Sequence, residues 1–156
     1  MLTPGLSGSF DDKAIVCFSV IKEDGLYKMW YVGMNTSSVL KSVGLATSSD
    51  GITWTKHSGN PIYTFPTNGV VTSISVLRDG NAYRLFGADA ASIYLATSTD
   101  GIAWTTSPSS PVVTVGANSL DAITVYRDSE SLLRIYYGYI AGGSNDYNIG
   151  LTTNSK

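Results

Sequence analysis

Thirteen residues of this chain occur twice and start a third time. Val43-Gly44-Leu45-Ala46-Thr47-Ser48-Ser49-Asp50-Gly51-Ile52-Thr53-Trp54-Thr55 returns as Ile93-Tyr94-Leu95-Ala96-Thr97-Ser98-Thr99-Asp100-Gly101-Ile102-Ala103-Trp104-Thr105, a period of 50 residues. A further copy opens at Ile149-Gly150-Leu151-Thr152-Thr153-Asn154-Ser155-Lys156, where the sequence ends. Two apolar runs around an Asp-Gly pair signal a β-hairpin. Hairpins at a period of this length point to a propeller with one repeat per blade.

The residues between the copies complete the blades. Ala14 to Ile21 is a nearly continuous apolar run rich in β-branched side chains, which predicts a strand buried on both faces. Glu23-Asp24-Gly25 makes a turn, and Leu26 to Val32 gives the second strand. The repeated motif supplies strands three and four, and Asn60-Pro61 ends the unit. The order recurs with Val70 to Leu77, a turn at Asp79-Gly80, Ala82 to Phe86, the motif at Asp100 and a stop at Ser110-Pro111. A third unit runs through Ala122 to Tyr126, a turn near Asp128-Ser129, Leu133 to Tyr137, a loop at Gly142-Gly143-Ser144-Asn145-Asp146, and Tyr147 to Thr153. Lys28, Arg84 and Arg134 hold one register of strand two, each followed by an apolar residue and then an aromatic. The expected architecture is all-β: one domain, 1–156, of three propeller blades at about 10–64, 65–115 and 116–156.

The third blade lacks its outer strand, because Asp-Gly-X-X-Trp should follow Ser155. Leu2-Thr3-Pro4 resembles the residues after strand four elsewhere, Ile62-Tyr63 and Val112-Val113, so the N-terminus resumes roughly where the C-terminus leaves off. Three blades fall short of the roughly 4–8 that close a ring, and an open ring exposes the apolar faces of its end blades. Association answers both problems: a homodimer makes a six-bladed ring about a two-fold axis. The alternative is a fragment of a longer five-bladed chain.

Composition removes several function classes. Charged residues are 14% of the 156, with a net charge of −2 and no basic run, which argues against nucleic acid and membrane surfaces as partners. No apolar run approaches the roughly 20 residues of a bilayer span, and Met1 to Gly5 shows no signal-peptide pattern. The expectation is a soluble chain whose compartment the sequence does not name. One cysteine and one histidine leave no multi-cysteine or multi-histidine metal site, and there is no Gly-rich phosphate loop, so no cofactor is expected.

Ser19-Val20-Ile21-Lys22, Tyr27 to Gly33, Val43 to Trp54 and Asn60-Pro61 together resemble a blade of the five-bladed glycoside-hydrolase propellers, the arabinanase/xylosidase and invertase/levansucrase clans. The resemblance runs along nearly the whole chain and implies a propeller with a central funnel. In that family the inner strand often begins Asp-Pro-Ser-Val, with the acid at the funnel mouth. Matching Ser19-Val20, Ser75-Val76 and Thr124-Val125 to this pattern puts Cys17, Ser73 and Ala122 where the acids stand, and Phe18, Ile74 and Ile123 where proline stands. None of the three is acidic. Glycoside hydrolysis needs two carboxyl groups about 5–10 Å apart.

The remaining acids near the mouths are Asp11, Asp12 and Asp121. Asp121 stands one residue before the family position, and a one-residue shift in a strand turns the side chain to the other face. These three are the catalytic candidates for a divergent glycosidase assembled across protomers. Asp12, Ser73, Asp121 and Tyr137 are the ligand-binding candidates, with carbohydrate as the ligand. The Asp50 and Asp100 hairpins also resemble the Asp boxes of sialidase-type propellers, with spacing one residue shorter. Asp there suits the turn, and Trp54 and Trp104 suit packing. Trp30, Phe86 and Tyr136 are expected in the core between blades, while Tyr31, Tyr137 and Tyr139 could form a stacking platform for a sugar face. Cys17, in an apolar strand without a basic neighbour, is expected to be an inert thiol. His57 falls at the end of an outer strand. A non-catalytic carbohydrate-binding or assembly module is therefore the leading expectation, with the divergent glycosidase as its alternative.

Overall fold

The computed structural model describes residues 1–37, 40–116, 119–128, 132–142 and 146–154. Ser129, the loop centre Gly143-Ser144-Asn145 and the last two residues, Ser155 and Lys156, lie outside them. The chain is all-β and forms three antiparallel sheets in sequence order, the blades of a β-propeller. Blade 1 contains β1 (Ala14–Glu23), β2 (Leu26–Met34), β3 (Ser42–Ser48), β4 (Thr55–Lys56) and β5 (Tyr63–Thr64). Blade 2 contains β6 (Ser73–Asp79), β7 (Ala82–Ala88), β8 (Ser92–Ser98), β9 (Thr105–Thr106) and β10 (Val113–Thr114). Blade 3 contains β11 (Ser119–Arg127), β12 (Leu133–Ile140) and β13 (Tyr147–Asn154). No helix of the described residues is long and apolar enough to cross a membrane.

The fourth strand is shorter than the motif suggests. β4 holds two residues against Ala46 and Thr47, and β5 returns to pair with Ser42 and Val43 of the same β3. Asn60 joins the two pieces: its side-chain amide donates to the Leu45 carbonyl, and its oxygen accepts the Leu45 N–H. The outer edge of each complete blade is thus two stubs around a cis-proline turn, at Asn60-Pro61 and Ser110-Pro111.

Two apolar clusters hold the blades together, and both lie between sheets. One joins Trp30, Val32 and Leu45 of blade 1 to Ile74, Val76, Tyr83 and Leu85 of blade 2. The other joins Phe86, Ile93 and Leu95 of blade 2 to Ile123, Val125, Leu133 and Ile135 of blade 3. Burying each large apolar side chain contributes about 1.5–3 kcal/mol, so these junctions carry most of the cohesion between blades.

Two expectations need correcting. β1 is not buried on both faces: Phe18 is 60% exposed and Val20 41%, while their counterparts Ile74 and Val76 in blade 2 are 5% and 6% exposed. Tyr136 is not core: it is 38% exposed, although Trp30 and Phe86 at the same register are buried. The cause is the same in both cases. Each blade buries its faces against its neighbours, and among the described residues no blade stands beside these faces of blades 1 and 3.

Candidate functional site

The N-terminal ends of the inner strands β1, β6 and β11 carry Cys17, Ser73 and Ala122, the positions matched to the family acids. An inner strand has one unpaired edge, whose amide groups need partners. Here they find them on the preceding blade. The Val76 N–H donates to Ser19 Oγ (2.9 Å), the Ile123 N–H to Ser73 Oγ (3.1 Å) and the Val125 N–H to Ser75 Oγ (3.2 Å). Backbone groups of Val32 and Ile74 hydrogen-bond to the Cys17 sulfur, but burial dominates and pushes its thiol up to about 12. Such a thiol is protonated and a poor nucleophile at neutral pH. Cys17 and Ser73, two of the three positions matched to family acids, therefore belong to a ladder that sews inner strands together. Ala122, the third, sits exposed on β11 without a polar side chain.

The three candidate acids have different fates. Asp11 is buried at 2% exposure and accepts from Ser9 Oγ (2.9 Å), Tyr31 Oη (3.1 Å) and Lys56 Nζ (2.5 Å). Burial alone would raise its carboxyl; the Lys56 ammonium and the hydroxyls of Ser9 and Tyr31 outweigh that and hold it below the usual value. The same burial, with the Asp11 charge, pushes the Tyr31 phenol up. Asp12 uses both oxygens on backbone, accepting the Gly8 and Thr36 N–H groups at 2.8 Å each. Asp121 is the residue at which the β11–β12 register slips, between Leu120 and Ala122, and its side chain is exposed. Its carbonyl lies 3.5 Å from Thr72 Oγ1 of the blade 2 lead-in. β1 slips at the equivalent Val16, whereas β6 pairs with β7 without a slip, so blades 1 and 3 share the bulge. Among the described residues no hydrogen bond or ion pair joins Asp121 to Asp11 or Asp12.

Tyr137 is half-buried against the cluster between blades 2 and 3, with its ring tilted 43° against Tyr139 and the centroids 5.9 Å apart. Its ring covers Gly150, directly across the ladder, where any Cβ would collide with it. Tyr31 covers Gly44 in the same way, at 2.6 Å from a Cβ position. Blade 2 reverses the pair: Gly87 faces Tyr94, and Phe65 fills the space over the glycine. One aromatic-over-glycine pair per blade is packing, invisible in the sequence because the two residues exchange strands. His57 accepts the Gly59 N–H at Nδ1 (3.0 Å) and works as a turn residue.

Sequence reasoning passed over Asp89. It is 6% exposed, accepts the Ala91 and Ser92 N–H groups on one oxygen, and takes the Thr67 and Tyr94 hydroxyls on the other. Burial would raise its carboxyl, but these four donors keep it below the usual value. The short Asp-Ala-Ala-Ser link between β7 and β8 was the available signal, since Asp favours turns in which its side chain bonds the backbone ahead. Among the described residues no group of three His, Cys, Asp or Glu side chains could hold a metal ion. A depression of about 500 Å³ lies on the open face of blade 1, lined by Ile15 and Val16 at the start of β1 and by Phe18, Met29, Ile52 and Trp54.

No protein-family model matches the sequence. No curated protein matches it either. Solved structures do. The GH32 β-fructofuranosidase of Bombyx mori superposes with a TM-score of 0.73 at 14% identity, over 89% of this chain and 33% of that one. A thermostable family-43 glycoside hydrolase gives 0.70 at 16% identity, over 90% of this chain and 48% of that one. An α-L-arabinofuranosidase of Clostridium thermocellum gives 0.61 at 14%, over 97% and 58%. The chain has the blade fold of the glycoside-hydrolase β-propellers, and it spans about a third to somewhat over half of the length of these structures.

Proposed function

We infer that the chain is a non-catalytic propeller module that binds carbohydrate at the mouth or serves in assembly. The observation that carries this is the ladder on the inner strands. At the positions matched to the family acids, Cys17 and Ser73 hold backbone groups of the next blade, and Ala122 brings no polar group. Of the nearby acids, Asp11 is consumed by Lys56 and Tyr31 and Asp12 by two backbone amides. A glycosidase needs a second carboxyl group within about 5–10 Å of the first.

One observation favours the alternative: Asp121 is an exposed acid on a bulge, and bulges often re-aim a side chain near a site. Incubation with arabinan, xylan and fructan, alongside a glycan-binding screen, separates the readings. No sugar release is expected. Retention of one glycan class would mark carbohydrate binding, and retention of none would leave assembly. Turnover abolished by Asp121→Asn or Asp12→Asn would overturn the non-catalytic reading.

A further inference from the structure

Each junction inside the chain is built from the same set of parts, and the two open faces carry one half each of a further copy. On the side that faces forward, blade 1 offers Trp30 and Leu45 and blade 2 offers Phe86 and Leu95, all buried. Blade 3 has Tyr136 and Leu151 at those registers, 38% and 49% exposed, with Ile149 beside them. On the side that faces backward, blade 2 offers Ile74, Val76 and Leu85 and blade 3 offers Ile123, Val125 and Ile135. Blade 1 has Phe18, Val20 and Met29 there, and its depression is lined by Phe18 and Met29 together with Ile52 and Trp54.

The polar parts match too. At the first junction the Trp30 indole donates to the Gly101 carbonyl (2.8 Å) and meets Trp104 edge-on. Gly51 and Trp54 repeat that acceptor and that ring on blade 1, facing the position Tyr136 would fill. In each blade an acid at the end of the inner strand binds a base on strand two: Glu23 with Lys28, Asp79 with Arg84, Asp128 with Arg134. That acid also takes an arginine from the next blade: Arg78 on Glu23 (3.0 Å) and Arg127 on Asp79 (2.6 Å). The residue of blade 1 at the arginine's register is Lys22, exposed and stacked over Tyr27 as Arg78 is stacked over Tyr83. Thr124, exposed, stands where Ser19 and Ser75 stand and can accept the Val20 N–H.

We propose that the blade 3 face docks on the blade 1 face of a second copy of this chain, twice, to close a six-bladed ring. Tyr136 covers Gly51 and Trp54, Leu151 and Ile149 cover Phe18, and Lys22 pairs with Asp128. Two copies of these three blades make six. Propellers hold about 4–8 blades, and two is the only multiple of three blades in that range. A two-fold axis along the channel makes the two junctions equivalent and covers the open faces of blades 1 and 3 in both copies.

The inference develops the assembly side of the reading above, and its test is separate from activity. Light scattering on the full chain at high micromolar concentration should give twice 16.6 kDa. Phe18→Glu and Tyr136→Glu, on opposite faces, should each turn the dimer into monomer while circular dichroism stays that of the parent. Lys22→Glu should raise the dissociation constant about 10-fold, since it puts like charge against Asp128. Mixing the Phe18→Glu and Tyr136→Glu chains should restore dimers, because the pair retains one intact junction. A parent chain that is monomeric, a mass of three or more chains, or a dimer indifferent to both face substitutions overturns the ring. A monomer would leave the non-catalytic reading standing, and turnover would overturn that reading without touching the ring.

Discussion

The Asp-Gly loops of blades 1 and 2 are nearly the same object in two surroundings. In the first, Ser48 Oγ accepts the Gly51 N–H (2.8 Å), Asp50 accepts from Ile52 and Thr53 (2.7 Å each), and Trp54 donates to the Gly51 carbonyl (3.2 Å). In the second the corresponding distances are 2.9, 2.8, 2.8 and 3.1 Å. The amide donors from the residues ahead, with the preceding serine, hold Asp50 well below the usual carboxylate range and lower Asp100 as well. The loops therefore close on themselves, whatever lies above them. The surroundings differ: Trp30 of the neighbouring blade sits on Gly101, whereas among the described residues the atoms nearest the Cβ position of Gly51 are those of Tyr27 in its own blade. Local chemistry builds the loop, and the neighbouring blade makes it part of a core.

Breaking the covered loop should have the largest effect. Trp30→Ala removes a fully buried indole and its hydrogen bond, and is expected to cost about 3–5 kcal/mol in urea unfolding. Trp54→Ala, in the open loop, should cost well under half of that in a monomer; equal losses would sink the comparison. Next comes Lys56→Met, which leaves Asp11 buried without its cation and is expected to cost about 3 kcal/mol. The glycines should separate as well. Gly51 and Gly101 have φ of 76° and 77°, so an alanine is strained at either by about 1 kcal/mol or more. Only Gly101→Ala also drives a Cβ to 2.9 Å from the Trp30 ring, whereas at Gly51 the nearest atom is 3.5 Å away. Thermal unfolding should thus show a larger loss for Gly101→Ala than for Gly51→Ala.

The smallest effects are chemical. Asp11 and Asp89 are held below the usual carboxyl value in the folded state, so the stability they contribute is present above the unfolded pKa. It is lost as pH falls through the folded value. The urea midpoint should be level above about pH 5 and fall below about pH 4, less steeply in Asp11→Asn. Cys17, pushed up to about 12 by burial, should react with iodoacetamide at pH 8 at least ~10-fold more slowly in the folded chain than in urea. Equal rates would mean that the inner-strand ladder opens readily.

Much of the blade was legible in the sequence. Asp-Gly with flanking apolar runs encodes a loop that its own backbone satisfies, so Ser48 to Trp54 reads correctly from spacing alone. Lys28, Arg84 and Arg134 also read as one register, and each proves to bind the acid at the end of its own inner strand. The site was harder. Asp11 and Asp12 are adjacent carboxylates near a strand, and nothing local says that one is buried against Lys56, 45 residues on, while the other caps two amides. Ser73 looked like a mouth residue because its partner, the Ile123 N–H, is 50 residues away.

Periodicity and turn chemistry act over a few residues, so the repeat, the strands, the turns and the lack of acids at Cys17, Ser73 and Ala122 can be read along the chain. Which faces are covered is set by contacts between blades. The same apolar register is buried at Ile74 and Val76 and bare at Phe18 and Val20, since burial depends on whether another blade stands alongside.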